Sequence, residues 1–181
     1  MILSDSELVE MLREPRTRRE GFAVLVKQYS EKLYWKVRRI VLSHEDANDV
    51  LQNVFIKVWN NLQNFQGKSS LSTWLYRIAI NESLDFLRKQ KMADMVSSDE
   101  DLSVSSRLMS DEYFDGDEIQ ARLQEAVARL PEVQRMVFNL KYFEEMKYSE
   151  ISQILNTSEG ALKASYHLAV KKITEYLHLF D

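Results

Sequence analysis

The sequence predicts an all-α fold, organised as two small helical domains joined by a flexible acidic linker. Three observations lead there. Only four Gly and two Pro occur in 181 residues, too few for a fold rich in tight turns. Apolar residues recur at i, i+3, i+4 and i+7 over most of the chain, with few alternating β-branched runs, which is the helical period and not that of a strand. Charge is also unevenly spread. Residues 94–118 hold nine acidic residues against one basic, a charge of −8 within a total of −4, which leaves +4 on the rest.

Taking the chain in order, Leu8, Met11 and Leu12 give a short helix over residues 4–13, capped by Ser4 or Asp5 and ended by Pro15. The basic run Arg16-Thr17-Arg18-Arg19 reads as a solvated turn more readily than as a phosphate contact. A second helix, residues 20–42, presents Phe22, Leu25, Val26, Tyr29, Leu33, Val37, Ile40 and Val41 as a core-facing stripe. The third opens on Ser43 with Asp46 three places on, a capping-box spacing. It buries Ala47, Val50, Leu51, Val54, Phe55, Val58 and Leu62, and leaves Asp49, Gln52 and Asn53 as a polar triplet at i, i+3 and i+4. A solvated face explains such a triplet most of the time; the sharper alternative is a helix-on-helix docking face, which short polar side chains suit.

The fourth helix, residues 71–91, has two unlike faces. Leu71, Leu75, Ile78, Ala79 and Phe86 fall on one side, while Arg77, Asn81, Arg88 and Lys91 fall within roughly 80° on the other. Glu82 stands inside the apolar arc and predicts a buried ion pair with an arginine. Before this helix lies a polar loop, residues 65–70, in which Gly67 frees the backbone and Ser70 or Ser72 can cap the helix. Loop and helix together form a candidate polar pocket.

The serine-rich acidic segment, residues 93–117, reads as a linker. Beyond it the pattern predicts helices over residues 119–130 and 131–143, the second opened by Pro131. A short helix over 150–155 capped by Ser149 follows, then a tight turn at Asn156 and Thr157, then a last helix from Glu159 to about Leu177 capped by Ser158. Short helix, tight turn and longer helix make a helix-turn-helix pattern. On the last helix Leu162, Tyr166, Ala169, Val170, Ile173 and Leu177 share a core face, and Lys163, Ala164, His167, Leu168 and Lys171 share the outer one.

Composition excludes several classes of function. The absence of Cys rules out disulfides, thiol nucleophiles and thiolate metal sites. His44, His167 and His178 have no metal-ligand spacing, so no metal and no cofactor is expected. The N-terminus is too polar for a signal peptide and no apolar run approaches 18 residues, which predicts a soluble cytoplasmic protein.

The segment from Asp46 to Trp59 (DANDVLQNVFIKVW), followed by Phe65-Gln66-Gly67 and the run from Ser72 to Asn81, resembles the core of bacterial sigma factors of the extracytoplasmic function group. The runs Leu130-Pro131-Glu132-Val133-Gln134-Arg135, Tyr148-Ser149-Glu150-Ile151-Ser152 and Gly160-Ala161-Leu162-Lys163 resemble that group's promoter-binding helix-turn-helix domain. The resemblance spans residues 20–179 and includes the position of the linker. It implies a first domain over residues 1–92, a linker over 93–117 and a second domain over 118–181.

The roles that the resemblance implies are carried over residue by residue. Asp49, Gln52 and Asn53 would dock on the clamp of the largest subunit of core RNA polymerase; many relatives have an acid where this chain has Asn53. Gly67, Lys68, Ser69, Ser70 and Asn81 would hold a base flipped from the minus-ten element, with Arg77, Arg88 and Lys89 on neighbouring phosphates. Lys163, Ala164, Ser165, His167 and Lys171 would meet the minus-thirty-five element. Relatives often have arginines at the positions of Ser165 and Leu168, and a threonine at that of Ala161. The implied partners are core polymerase (the clamp and the flap of the second subunit), promoter DNA and an anti-sigma factor, membrane-bound in some relatives, with no small-molecule substrate. Read from the residues alone, an ordinary helix-turn-helix regulator or a helical adaptor stays open.

Overall fold

The computed structural model describes residues 3–94 and 118–180; the fourth helix runs on to Asp94, two residues into the expected linker, and the rest of that linker lies outside the described residues. Those residues are helical, with no strand among them. They fall into two compact units, one on each side of the linker. None of the described helices is long and apolar enough to cross a membrane.

The first unit holds α1 (Asp5–Arg13), α2 (Arg18–Val41), α3 (His44–Asn61), a 3₁₀ turn (Leu62–Asn64) and α4 (Leu71–Asp94). α2 is the central element and packs on the other three. Its Leu25, Tyr29, Leu33, Val37, Ile40 and Val41 are buried as their spacing requires. Phe22 is only half-buried and stands edge-on to Phe55 and Trp59 of α3. Ser4 caps α1 by accepting from the Glu7 N–H at 3.3 Å, and the Glu7 carboxylate accepts in return from the Ser4 N–H at 2.8 Å. The Ser4 hydroxyl and N–H hold the Glu7 carboxyl below its ordinary pKa. α2 begins at Arg18, two residues earlier than its apolar pattern suggested, and Arg18 is no solvated turn residue. Its guanidinium donates to the Leu12 carbonyl at 3.0 Å and the Arg13 carbonyl at 3.4 Å, occupying acceptors that the end of α1 leaves open.

α1 and α2 approach so closely at Gly21 that a Cβ there would lie 2.8 Å from the Met11 Cβ. Gly21→Ala is therefore expected to destabilise the protein by about 1–3 kcal/mol through overpacking, despite the better helix propensity of Ala. Chemical denaturation of the two proteins measures this.

The buried line of α4 also differs from the expected arc. Leu71, Leu75 and Ala79 are buried as expected, but the line continues through Ile80, Ser83 and Leu84, leaving Ile78 and Phe86 half-buried. A 3.6-residue period drifts around a helix of 24 residues, so contacts late in the helix fall on a different side from those at its start. The buried Ser83 hydroxyl donates to the Ala79 carbonyl at 2.8 Å.

The second unit holds α5 (Glu118–Ala128), α6 (Glu132–Phe138), a π-helical turn (Asn139–Phe143), α7 (Tyr148–Leu155), α8 (Glu159–Leu177) and a closing 3₁₀ turn (His178–Phe180). Ala126, Val127, Leu130, Phe138, Ala169 and Ile173 form its core. The single helix expected over residues 131–143 is divided. Met136, Val137 and Phe138 at the end of α6 and Asn139 and Leu140 at the start of the π turn are all buried, so this segment is enclosed on every side, and Phe138 stacks on both Tyr142 and Tyr166. α7 starts at Tyr148, so Ser149 is not its cap; the Glu150 carboxylate accepts from the Lys147 N–H at 3.0 Å instead. Asn156 closes α7 at φ 50°, a left-handed conformation that Asn tolerates well. Ser158 caps α8 by accepting from the Ala161 N–H at 3.3 Å. Val170, expected in the core, is exposed.

Candidate nucleic-acid interface

Three exposed faces carry the candidate residues. On α3, Ala47, Val50, Val54 and Val58 are buried, which turns Asp49, Gln52 and Asn53 to solvent, and all three are exposed. Ile56 stands with them, about 20° around the helix from Asp49, and is 52% exposed. The sequence reading passed over it, yet it carried a signal: it is an isoleucine out of phase with the buried stripe.

Behind this face, the expectation for Glu82 is corrected. Its partner is Lys57 of α3, not an arginine. The Glu82 side chain is 12% exposed and that of Lys57 52%, so one end of the pair is nearly buried and the other is wet. A lysine from an adjacent helix is flexible enough to reach inward while its stem lies on the surface. Lys57→Ala is expected to lower stability by about 1–2 kcal/mol, since it leaves a largely desolvated carboxylate unpaired; thermal unfolding checks it.

The second face is the loop and α4. Gly67 adopts φ +70°, the left-handed region that favours glycine. The loop is pinned by Phe65 against Trp74, with ring centroids 5.1 Å apart. The Ser70 hydroxyl caps α4 by accepting from the Thr73 N–H at 3.2 Å and also meets the Ser72 and Thr73 hydroxyls. A cleft of about 1100 Å³ opens here, between the loop (Phe65, Gly67, Ser69, Ser70) and α1, whose Glu10 and Arg13, with Glu14 just beyond its end, form the far wall. Arg13 reaches to 3.8 Å from where a Gly67 Cβ would lie. Neither Lys68 nor Asn81 lines this cleft.

Asn81 lies eleven residues beyond Ser70, about 16 Å down the helix axis. Arg77, Asn81 and Arg88 are exposed and run as a row along α4, with Arg88 also bonded to Asp85 at 3.0 Å; Lys89, also exposed, projects about 100° away from Arg88 and stands outside the row. Of the residues expected in one pocket, the fold thus brings Gly67, Ser69 and Ser70 together and places Asn81 in the cationic row. Arg13 and its neighbours on α1 were missed, because only the tertiary packing brings α1 over the loop.

The third face is the outer side of α8. Leu162, Ala169 and Ile173 are buried and fix the inward direction. Lys171 and Ala164 lie within about 20° of the opposite direction, His167 and Leu168 about 40–60° to either side of it, and Lys163 and Lys172 at the flanks; all six are exposed. The Lys163 ammonium sits 5.7 Å from the centre of the Tyr148 ring, a cation–π contact between α7 and α8. Burial raises the pKa of the Tyr148 hydroxyl. Ser165 is half-buried and points about 120° from the outward direction, so the fold separates it from the others. Among the described residues no group of His, Asp or Glu could hold a metal ion.

Residues 25–92 match the family model for Sigma-70 region 2, and residues 120–173 that for Sigma-70, region 4. The chain is 32% identical to the ECF RNA polymerase sigma factor SigW of Bacillus subtilis over 157 residues, 82% of this chain and 84% of that protein. It is 31% identical to the RNA polymerase sigma-H factor of Pseudomonas aeruginosa over 182 residues, 96% and 93% of the two chains. Among solved structures, the sigma factor RpoE in complex with the anti-sigma factor NepR from Bartonella quintana aligns with a TM-score of 0.65 at 20% identity, over 88% of this chain and 98% of that one. CnrH in complex with the cytosolic domain of CnrY aligns at 0.61 and 20% identity, over 98% and 96%; both show the fold. With both sigma regions present in order, and relatives of this identity along most of its length, the chain belongs to the ECF RNA polymerase sigma factors.

Proposed function

We propose that this sigma factor docks on core RNA polymerase through Asp49, Gln52, Asn53 and Ile56, and directs the enzyme to promoters by contacting two DNA elements. Loop 65–70 and the α4 row capture the non-template strand of the minus-ten element and favour its opening; α8 reads the minus-thirty-five element. The observation that carries this reading is the row of Arg77, Asn81 and Arg88, all exposed on a helix whose opposite side is buried. Together with the adjoining loop, such a row offers a cationic track for one strand and an amide that can both donate to and accept from a base edge. Flipping a base costs a few kcal/mol, which contacts of this kind offset.

Residues 1–92 form the docking and strand-capture module and residues 118–181 the duplex-reading one, with residues 93–117 as the tether. No catalytic residue is required, since nucleotide addition belongs to the polymerase, and the place of action is the cytoplasm. An anti-sigma factor is a further partner, a reading supported by the two structural neighbours solved with such proteins. Run-off transcription with purified core polymerase tests the proposal. It predicts promoter-dependent product only when this protein is added; no product from any candidate promoter, with no binding to core, would refute it.

A further inference from the structure

Within the reader face of α8 the large outward apolar side chain is Leu168, 46% exposed. Nothing in the fold requires a leucine there, because the helix is held from the other side by Leu162, Ala169 and Ile173. Val170, the other exposed large apolar residue of α8, lies about 100° from the outward direction, beside the core seam. Ala164, one turn before Leu168, adds a second apolar surface on the same line. Lys163, His167 and Lys171 run parallel at the same four-residue spacing, and Lys172 borders Leu168 on the far side. The reader face therefore carries an apolar line, Ala164 and Leu168, between a basic line that includes Lys171 at its centre and Lys172 on its other side.

In a major groove, cations on either side of such a line can meet phosphates, while an outward apolar side chain within it has one favourable partner among the base edges, the thymine 5-methyl group. We propose that Leu168, backed by Ala164, is a specificity residue of this sigma factor that reads thymine methyl groups in the minus-thirty-five element. Selection there rests on shape and dewetting, with direct charge contacts confined to the phosphates and to Lys171 or His167. This rests on the assignment of α8 to that element.

The test starts by selecting a preferred minus-thirty-five sequence from randomised duplexes with the complete holoenzyme. Each thymine of the selected element is then replaced by deoxyuridine, which removes the methyl alone. Removal at one or two positions is expected to weaken holoenzyme binding about three- to fivefold, to have no effect with Leu168→Ala, and to equal the loss that Leu168→Ala causes on the unmodified element. Leu168→Arg is expected to move the preference at that position from thymine to guanine, a change in base choice that a merely structural residue would not produce.

A selected element without thymine, or one whose thymine methyls are dispensable, overturns this inference alone. So does a methyl effect that persists in Leu168→Ala. Failure to select any sequence overturns both it and the promoter-reading assignment beneath it.

Discussion

Ile56→Asp is expected to weaken binding to core polymerase about thirtyfold while leaving thermal unfolding unchanged. Ile56 is 52% exposed, so the fold tolerates a charge there. Its surroundings explain the size of the effect. An apolar side chain ringed by Asp49, Gln52 and Asn53 has the anatomy of an interface centre with a polar rim, and central residues of that kind contribute about 2 kcal/mol or more when truncated. Burying an unpaired carboxylate in the same place adds to the loss. Gln52→Ala, a rim substitution, is expected to cost only a few-fold. Titrating labelled protein with core polymerase measures both, and an unchanged affinity for the Ile56 variant would remove α3 from the docking surface.

Asn81→Ala is expected to reduce run-off product from a duplex promoter about ten- to a hundredfold. On a template already mismatched across the minus-ten element, saturating holoenzyme should restore most of it. A pair of hydrogen bonds to a base edge contributes about 1–3 kcal/mol, and on a duplex that energy must offset unstacking. On the mismatched template unstacking has already occurred, so the same lost contact no longer limits opening. Equal defects on both templates would show that Asn81 acts elsewhere than in strand capture. Arg77→Ala should instead lower affinity for both templates and flatten its dependence on salt.

The helices were legible because each buried stripe follows one period, as in α3, where Ala47, Val50, Val54 and Val58 all turned inward. What the sequence hid arises where that assumption lapses. The π turn at Asn139–Phe143 interrupts a segment whose apolar spacing predicts one continuous helix, and nothing in that spacing marks the change. Glu82 was noticed as misplaced, but its partner came from α3, 25 positions away, and nothing local distinguishes a lysine from an arginine as the answer. The candidate faces were legible as exposed polar positions on α3, α4 and α8. Their grouping was less so: Ser70 and Asn81 are close in sequence but three helical turns apart, while Arg13, more than fifty residues before Gly67, stands beside it.

The contact between Lys163 and Tyr148 bears on how the reader helix responds to its ionic surroundings. A carboxylate partner, such as Asp85 beside Arg88, already acts as a counterion, and a cation so paired displaces few ions when it reaches a phosphate. An aromatic ring holds an ammonium in place without neutralising it. Under the proposed assignment of α8, Lys163 would approach DNA with its direction set and its charge intact, so that a phosphate it meets would release condensed cations from the duplex.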